Sequence, residues 1–196
     1  MPGLDEPFRK QAAEDWRRFV EHRAHELRVG GNLVVVVVSA DDQGDSGGDH
    51  FVDVINEVLV DLLAAGKLQR HEYNRMAIAT YFRNATELEA PFRSGPAADA
   101  LALVAHEQAV LPDPIGERYD ATGDAAAFAT AYTGWLRGFS EPSLLGALDP
   151  ERRPDQAAAF ADELYDTIKS RVAHDPSTVR CHWHISQLLV TKCSPI

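Results

Sequence analysis

The sequence predicts an α/β fold in a single domain over residues 1–196, and three observations carry that expectation. Residues 15–39 read as an amphipathic helix, a glycine stop and a core strand; helical periodicity returns over 50–92 and 124–173; a last segment, 179–192, reads as a strand. A chain of 196 residues is long enough to bury one full core.

Residues 1–10 form a polar lead-in with Pro2 and Pro7, so the first helix is expected to start just after them. Trp16, Phe19, Val20, Arg23, Ala24 and Leu27 then recur at helical spacing and give one mostly apolar face with Arg23 at its edge. Gly30 or Gly31 supplies the left-handed residue that ends such a helix. Leu33 to Val38 follows as an unbroken apolar run, too short to span a membrane and too apolar for a strand with one wet face. It is expected as an interior strand covered on both sides.

Ala40 to Asp49 reads as a mobile acidic glycine loop. Strand, glycine loop and helix in that order invite a nucleotide site, but Gly44, Gly47 and Gly48 do not have dinucleotide-binding spacing, and Asp41, Asp42, Asp45 and Asp49 would repel a phosphate. A solvated loop is expected instead. His50 to Ala65 is the next helix, with Val52, Ile55, Leu59, Leu62 and Leu63 on one stripe and Gly66 as its stop. Asn84 and Glu87 make a capping box for a helix over Ala85 to Phe92, and Ser94-Gly95-Pro96 breaks the chain. Over 97–111 propensity favours helix, whereas Leu101, Leu103, Ala105 and Glu107 alternate loosely with Ala102, Val104 and His106. From Asp124 a helix runs to a break at Pro142 with a short helix beyond it, and another helical region opens at Asp149-Pro150, with Phe160, Leu164 and Ile168 at helical spacing. Val179 to Lys192 reads as the last strand.

The first of these segments resembles the SABATH family, the salicylate/benzoate/theobromine type of S-adenosylmethionine-dependent methyltransferase. The matching residues are Asp15, Trp16, Phe19, Val20, Arg23, Ala24, Glu26, Leu27, Gly30, Gly31, Leu33 and Val34. Leu62, Gly66 and Leu68 extend the likeness, as do Ile78, Tyr81 and Glu87, although two family prolines and an asparagine are lost around Tyr81. A second run, Arg137, Glu141, Pro142, Leu144 and Leu145, follows in the family's order. The resemblance implies the C-terminal half of a Rossmann-like methyltransferase sheet with a helical substrate cap formed by the helices over 50–92 and 124–173, makes 97–111 a strand, puts it and 179–192 at the antiparallel edge, and implies S-adenosylmethionine as cofactor.

Methyl transfer from a sulfonium is an in-line displacement that needs alignment and exclusion of water. A carboxylate acceptor is already ionised at neutral pH, so no catalytic acid or base is expected, and none is assigned. Donor sites of Rossmann type need a glycine turn after the first strand and a carboxylate after the second. Neither lies upstream of Asp15, so the resemblance implies a donor site outside this chain, a chain inactive alone, and a role in binding the acceptor, a small-molecule acid or N-heterocycle. By family position the acceptor-binding candidates are Phe51, Val52, Trp135, Leu136, His182 and Trp183. An N-terminal-half partner chain, or self-association through Leu33 to Val38, would complete the sheet. The alternative is a non-catalytic interaction or regulatory domain derived from the same fold; an unrelated small α/β binding module is the third reading.

Charge narrows the partners further. A formal net charge of −11 argues against nucleic acid and anionic membrane surfaces. Without a signal segment or a long apolar run the chain is expected to be cytoplasmic, with Cys181 and Cys193 as free thiols. His182 and His184 on one strand face have a spacing that metal sites use, but no third ligand can be assigned beside them, so a polar strand face is expected and no metal.

Overall fold

A computed structural model describes residues 5–48 and 50–195. Residues 1–4 of the lead-in, Asp49 of the acidic loop and Ile196 lie outside the described residues. Contacts gather the chain into two compact units that alternate in sequence: 1–47, 80–112 and 182–196 form the first, and 48–79 with 113–181 the second.

The first unit is a three-stranded sheet with helices on one face. It comprises α1 (Asp5–Glu26), β1 (Asn32–Val38), α4 (Ala85–Arg93), β2 (Leu101–Val110) and β3 (His184–Lys192). The helix starts earlier than the prolines suggested, because proline is tolerated in a first helical turn, where its missing N–H has no partner to lose. As the spacing predicts, Trp16, Val20 and Ala24 are buried, packing with Val35, Leu88, Ala97, Leu101, Leu188 and Val190. Gly30, at φ +80°, makes the turn out of α1, and its N–H donates to the Lys192 carbonyl at 2.8 Å. Lys192 itself is buried, and its ammonium donates to the Ala24 carbonyl at 2.6 Å, satisfying an end-of-helix acceptor. The capping box is present as expected, with the Glu87 N–H donating to Asn84 Oδ1 at 3.0 Å. The helix it starts, α4, packs on α1 in this unit.

Strand order is β1-β3-β2, with both pairs antiparallel. The expected roles are therefore exchanged: β3 is central and β1 is an edge. The 97–111 segment is a strand despite its helix propensity, because its pairing with β3 supplies the backbone partners that local preference would have sought in a helix. Coverage of β1 also differs. Leu33, Val35 and Val37 face the helices, whereas Val34, Val36 and Val38 are 67%, 58% and 37% exposed. A run of valines fixes an extended backbone, but what covers each face is set by segments elsewhere.

The second unit is helical: α2 (His50–Ala64), α3 (Arg70–Tyr73), α5 (Pro114–Thr122), α6 (Ala125–Leu145), α7 (Pro154–His174) and a 3-10 turn over Pro176–Val179. Phe51, Ile55, Val58, Leu59 and Leu62 of α2 are buried, as are Phe160, Leu164, Ile168 and Val172 of α7. Gly66 ends the α2 region at φ +72°. The expected break at Pro142 does not occur. Pro142 lies in the last turn of α6, where it removes one hydrogen bond without a long helix left to derail. Asp175 and Pro176 turn the chain before β3, which is why the last strand begins at His184 and not at Val179. Among the described residues no helix is long and apolar enough to cross a membrane.

Candidate functional site

The segment after β1 is anchored. Asp41 Oδ1 accepts from the N–H groups of Gln43 and Asp45 at 2.8 and 2.9 Å, and Asp45 Oδ1 accepts from Gly47 at 2.7 Å. The loop then runs beside the entry to β3: the His182 N–H donates to the Gly47 carbonyl at 2.8 Å and that of His184 to Ser46 at 2.9 Å. Asp41 and Asp45 thus brace the loop from within, while residues 42–45 remain exposed to solvent, as expected. Gly47 has φ +75°, and a β-carbon there would lie 1.9 Å from the His182 carbonyl oxygen. Gly47→Ala is therefore expected to lower Tm by roughly 5 °C or more in a thermal melt, the left-handed backbone alone costing about 1–2 kcal/mol.

The same geometry tests the fit of an adenosyl donor at this loop. A glycine there would have to leave room for the ligand, and a carboxylate would have to be open to its ribose. Gly47 is closed by the chain's own carbonyl, and Asp41 and Asp45 already hold loop amides. The loop does not fit a donor cradle.

Sequence-predicted site residues divide between the units. His182 is exposed and Trp183 half-buried in the first unit, immediately before β3, with Trp183 edge-on to Phe82 at 5.6 Å. Cys181 is buried in the second unit, where burial and the nearby Asp113 carboxylate outweigh Arg180 and push its thiol up to about 11; it stays protonated at neutral pH. Cys181 and Cys193 are free thiols, as expected. Among the described residues no group of three His, Cys, Asp or Glu side chains converges as a metal site would require.

The second unit brings Phe51 and Trp135 together and adds residues the sequence reading missed. Phe51, 1% exposed, meets the rings of Trp135 and Phe139 edge-on, at 6.2 and 5.3 Å between centroids. Along α6 the rings continue from Phe139 to Trp135 at 5.0 Å, Tyr132 at 5.6 Å and Phe128 at 6.0 Å, and on to Tyr119 of α5 at 5.2 Å. Phe128, Tyr132, Trp135 and Phe139 lie four, three and four residues apart, a helical stripe legible in the sequence. Trp135 and Phe139 each remain 38% exposed and Val52 42%, whereas Leu136 is fully buried and packs the helical core. The other end of the ladder opens on a groove of about 570 Å3 lined by Ile115, Arg118, Tyr119 and Phe128 among others.

Helix α5 was also missed by the sequence reading. Its signal is Asp113-Pro114 at the start, where Asp113 Oδ1 accepts the Gly116 N–H at 2.9 Å, and Gly123 at φ +66° at the end. Arg180 pins this helix through Asp120, at 2.7 and 2.9 Å.

Two resembling segments have structural roles in these surroundings. Tyr81 donates to Glu87 at 2.7 Å, and burial together with that carboxylate pushes its phenol up to about 12. Arg137 bridges Glu141 on its own helix to Asp162 on α7, the latter at 3.0 Å, with its guanidinium over the Tyr165 ring.

The sequence pattern of a family described as SAM dependent carboxyl methyltransferase matches residues 2–100. The chain belongs to this family. A solved structure titled loganic acid methyltransferase with SAH has the same fold, at TM-score 0.72 and 15% sequence identity, over 96% of this chain and 50% of that one. The chain thus spans about half the length of that relative. No curated protein matches it in sequence. The family is S-adenosylmethionine dependent, and the mixed α/β fold expected from the sequence is the methyltransferase fold. The Arg137 to Leu145 run lies beyond the residues that the family pattern matches.

Proposed function

We propose that this chain is the acceptor-binding, C-terminal half of a methyltransferase that transfers the methyl group of S-adenosylmethionine to a small-molecule acid, with a ring nitrogen as the other acceptor class. The observation that carries this reading is the aromatic ladder of the second unit. Phe51 backs two rings, Trp135 and Phe139, that are held rigidly against one another and still keep over a third of their surface open. Tilted, partly exposed rings fit the flat or cyclic body of such an acid, each ring contact adding about 0.5–1.5 kcal/mol beyond area burial. The carboxylate needs no base, because it meets the sulfonium carbon already ionised. The chain's share of the chemistry is to hold the acceptor and exclude water.

Titration with benzoate and with a cyclic terpenoid acid, followed by the indole N–H resonances of the three tryptophans, tests the reading. Saturable shifts at Trp135, weakened about tenfold by Trp135→Leu with Tm little changed, are expected. Saturation that leaves Trp135 unmoved, or the absence of saturation with both acids, contradicts it.

A further inference from the structure

The groove between α5 and α6 lies wholly within the second unit, and Phe51, Trp135 and Phe139 are not among the residues that line it. Its volume of about 570 Å3 falls in the range of small-molecule sites, about 300–1,000 Å3. The groove is preformed. Gly123, at φ +66°, turns the chain between the two helices, Thr122 accepts the Asp124 N–H at 3.3 Å, and Asp124 Oδ1 accepts the Ala127 N–H at 2.9 Å. The walls are apolar: Ile115 and Tyr119 from α5, and Ala127, Phe128 and Ala131 from α6. Tyr119 and Phe128 already lean on each other at 46°, their centroids 5.2 Å apart, so no flat ring slides between them. On α6 the exposed wall carries only methyl groups at Ala127 and Ala131, which leaves a channel along the helix for a narrow, flexible body. One cation stands at this channel. The Arg118 guanidinium has no ion pair or hydrogen bond among the described residues, although the chain carries a net charge of −11. Asp120, two residues along, is committed to Arg180, and Asp124 caps α6 without pairing with Arg118. An acidic chain that leaves a guanidinium unanswered beside an apolar channel offers a partner to one monoanion.

We propose that this groove is a binding site for a free aliphatic monocarboxylate of fatty-acid type. Its chain lies over Ala127 and Ala131, against Ile115, Tyr119 and Phe128, and its head pairs with Arg118. The site is distinct from the proposed acceptor rings and does not rest on that reading. It also binds without reacting: a carboxylate whose charge is taken up by a guanidinium is a poor nucleophile toward a sulfonium carbon. Asp124 limits the site to a single negative charge, since a dianion would meet a second carboxylate in the same groove.

The test is titration of the full 196-residue chain with decanoate, well below its micelle concentration, and with decanol and benzoate, followed by the methyl resonances of Ala127 and Ala131. Saturable shifts at both methyls are expected with decanoate, with decanol about tenfold weaker for want of the charged contact and benzoate weaker still. Arg118→Gln should weaken decanoate about tenfold and leave decanol unchanged. Asp124→Asn, which keeps a capping side chain, should tighten decanoate severalfold. Ala127→Leu with Ala131→Leu fills the channel and should abolish binding of decanoate and decanol alike. Both positions are exposed and leucine is a good helix former, so Tm should change little. No saturation with decanoate overturns the proposal. So does binding that is indifferent to Arg118→Gln or to the two leucines, or that is matched by decanol or benzoate. Failure of the acceptor reading shows at the Trp135 indole and not at these methyls, so the two stand or fall separately.

Discussion

Replacing Glu72 with alanine is expected to destabilise the chain by about 3–5 kcal/mol, the usual cost of breaking a buried ion pair by removing one partner. Glu72 is fully buried in the second unit. Its two oxygens take Arg152 Nε and Nη2, each at 2.6 Å, and the N–H groups of Asp149 and Gln69 at 2.9 and 2.8 Å. Alanine would leave the guanidinium and two amides without their acceptor. Burial raises the carboxyl pKa, but Arg152 and the two amides more than offset it and hold the group down at about 2, against 4.5 for a free glutamate. The sign of the pH dependence follows. A carboxyl whose folded value is depressed contributes its full stability above about pH 4.5 and loses it as pH falls toward 2. Urea denaturation across that window should show the gap between wild type and Glu72→Ala closing as pH falls, because only wild type loses this contribution. Parallel curves, or a loss under 1 kcal/mol at neutral pH, would show that the clamp is not what holds this turn.

Trp16→Ala is the other large effect, about 3–5 kcal/mol by loss of a buried aromatic. The indole is 6% exposed, stacks on Phe19 at 5.4 Å, meets Phe92 edge-on at 6.5 Å, and donates from Nε1 to the Leu88 carbonyl at 2.8 Å. It thus joins α1 to α4 by packing and by one buried hydrogen bond. Trp16→Phe separates the two contributions, because it keeps an apolar ring and strands only the Leu88 carbonyl, at about 1–3 kcal/mol. Equal losses in the two variants would place the whole effect in the hydrogen bond and contradict the packing role.

What could be read from the sequence was local chemistry. The stripe of Trp16, Val20 and Ala24, the glycine at position 30, the Asn84–Glu87 capping box and the strand-forming Leu33–Val38 run all act through neighbours within a few residues, so one sequence specifies them. Features set from a distance were harder. That β1 is an edge, bare on one face, depends on where β3 and the helices settle. The Gly47 turn and the anchored acidic loop depend on the His182 carbonyl, far along the chain. Pro142 is read as a helix break by rule, yet it falls where the helix was about to end. Of the proposed site, Phe51 and Trp135 are candidates by family position, and the structure makes them neighbours. The rest of the ladder, Phe128, Tyr132 and Phe139, was visible as helical spacing but looked like any core stripe. Only the 38% exposure of Trp135 and Phe139 distinguishes it.

Calorimetric titration of the purified chain with S-adenosylhomocysteine bears most directly on the assignment of this chain as an acceptor-binding half. With Gly47 closed by a backbone carbonyl and the Asp41 and Asp45 carboxylates holding loop amides, no heat and no thermal shift are expected from the chain alone. Micromolar binding would mean that these residues build a donor pocket by themselves, and the acceptor-half assignment would be wrong.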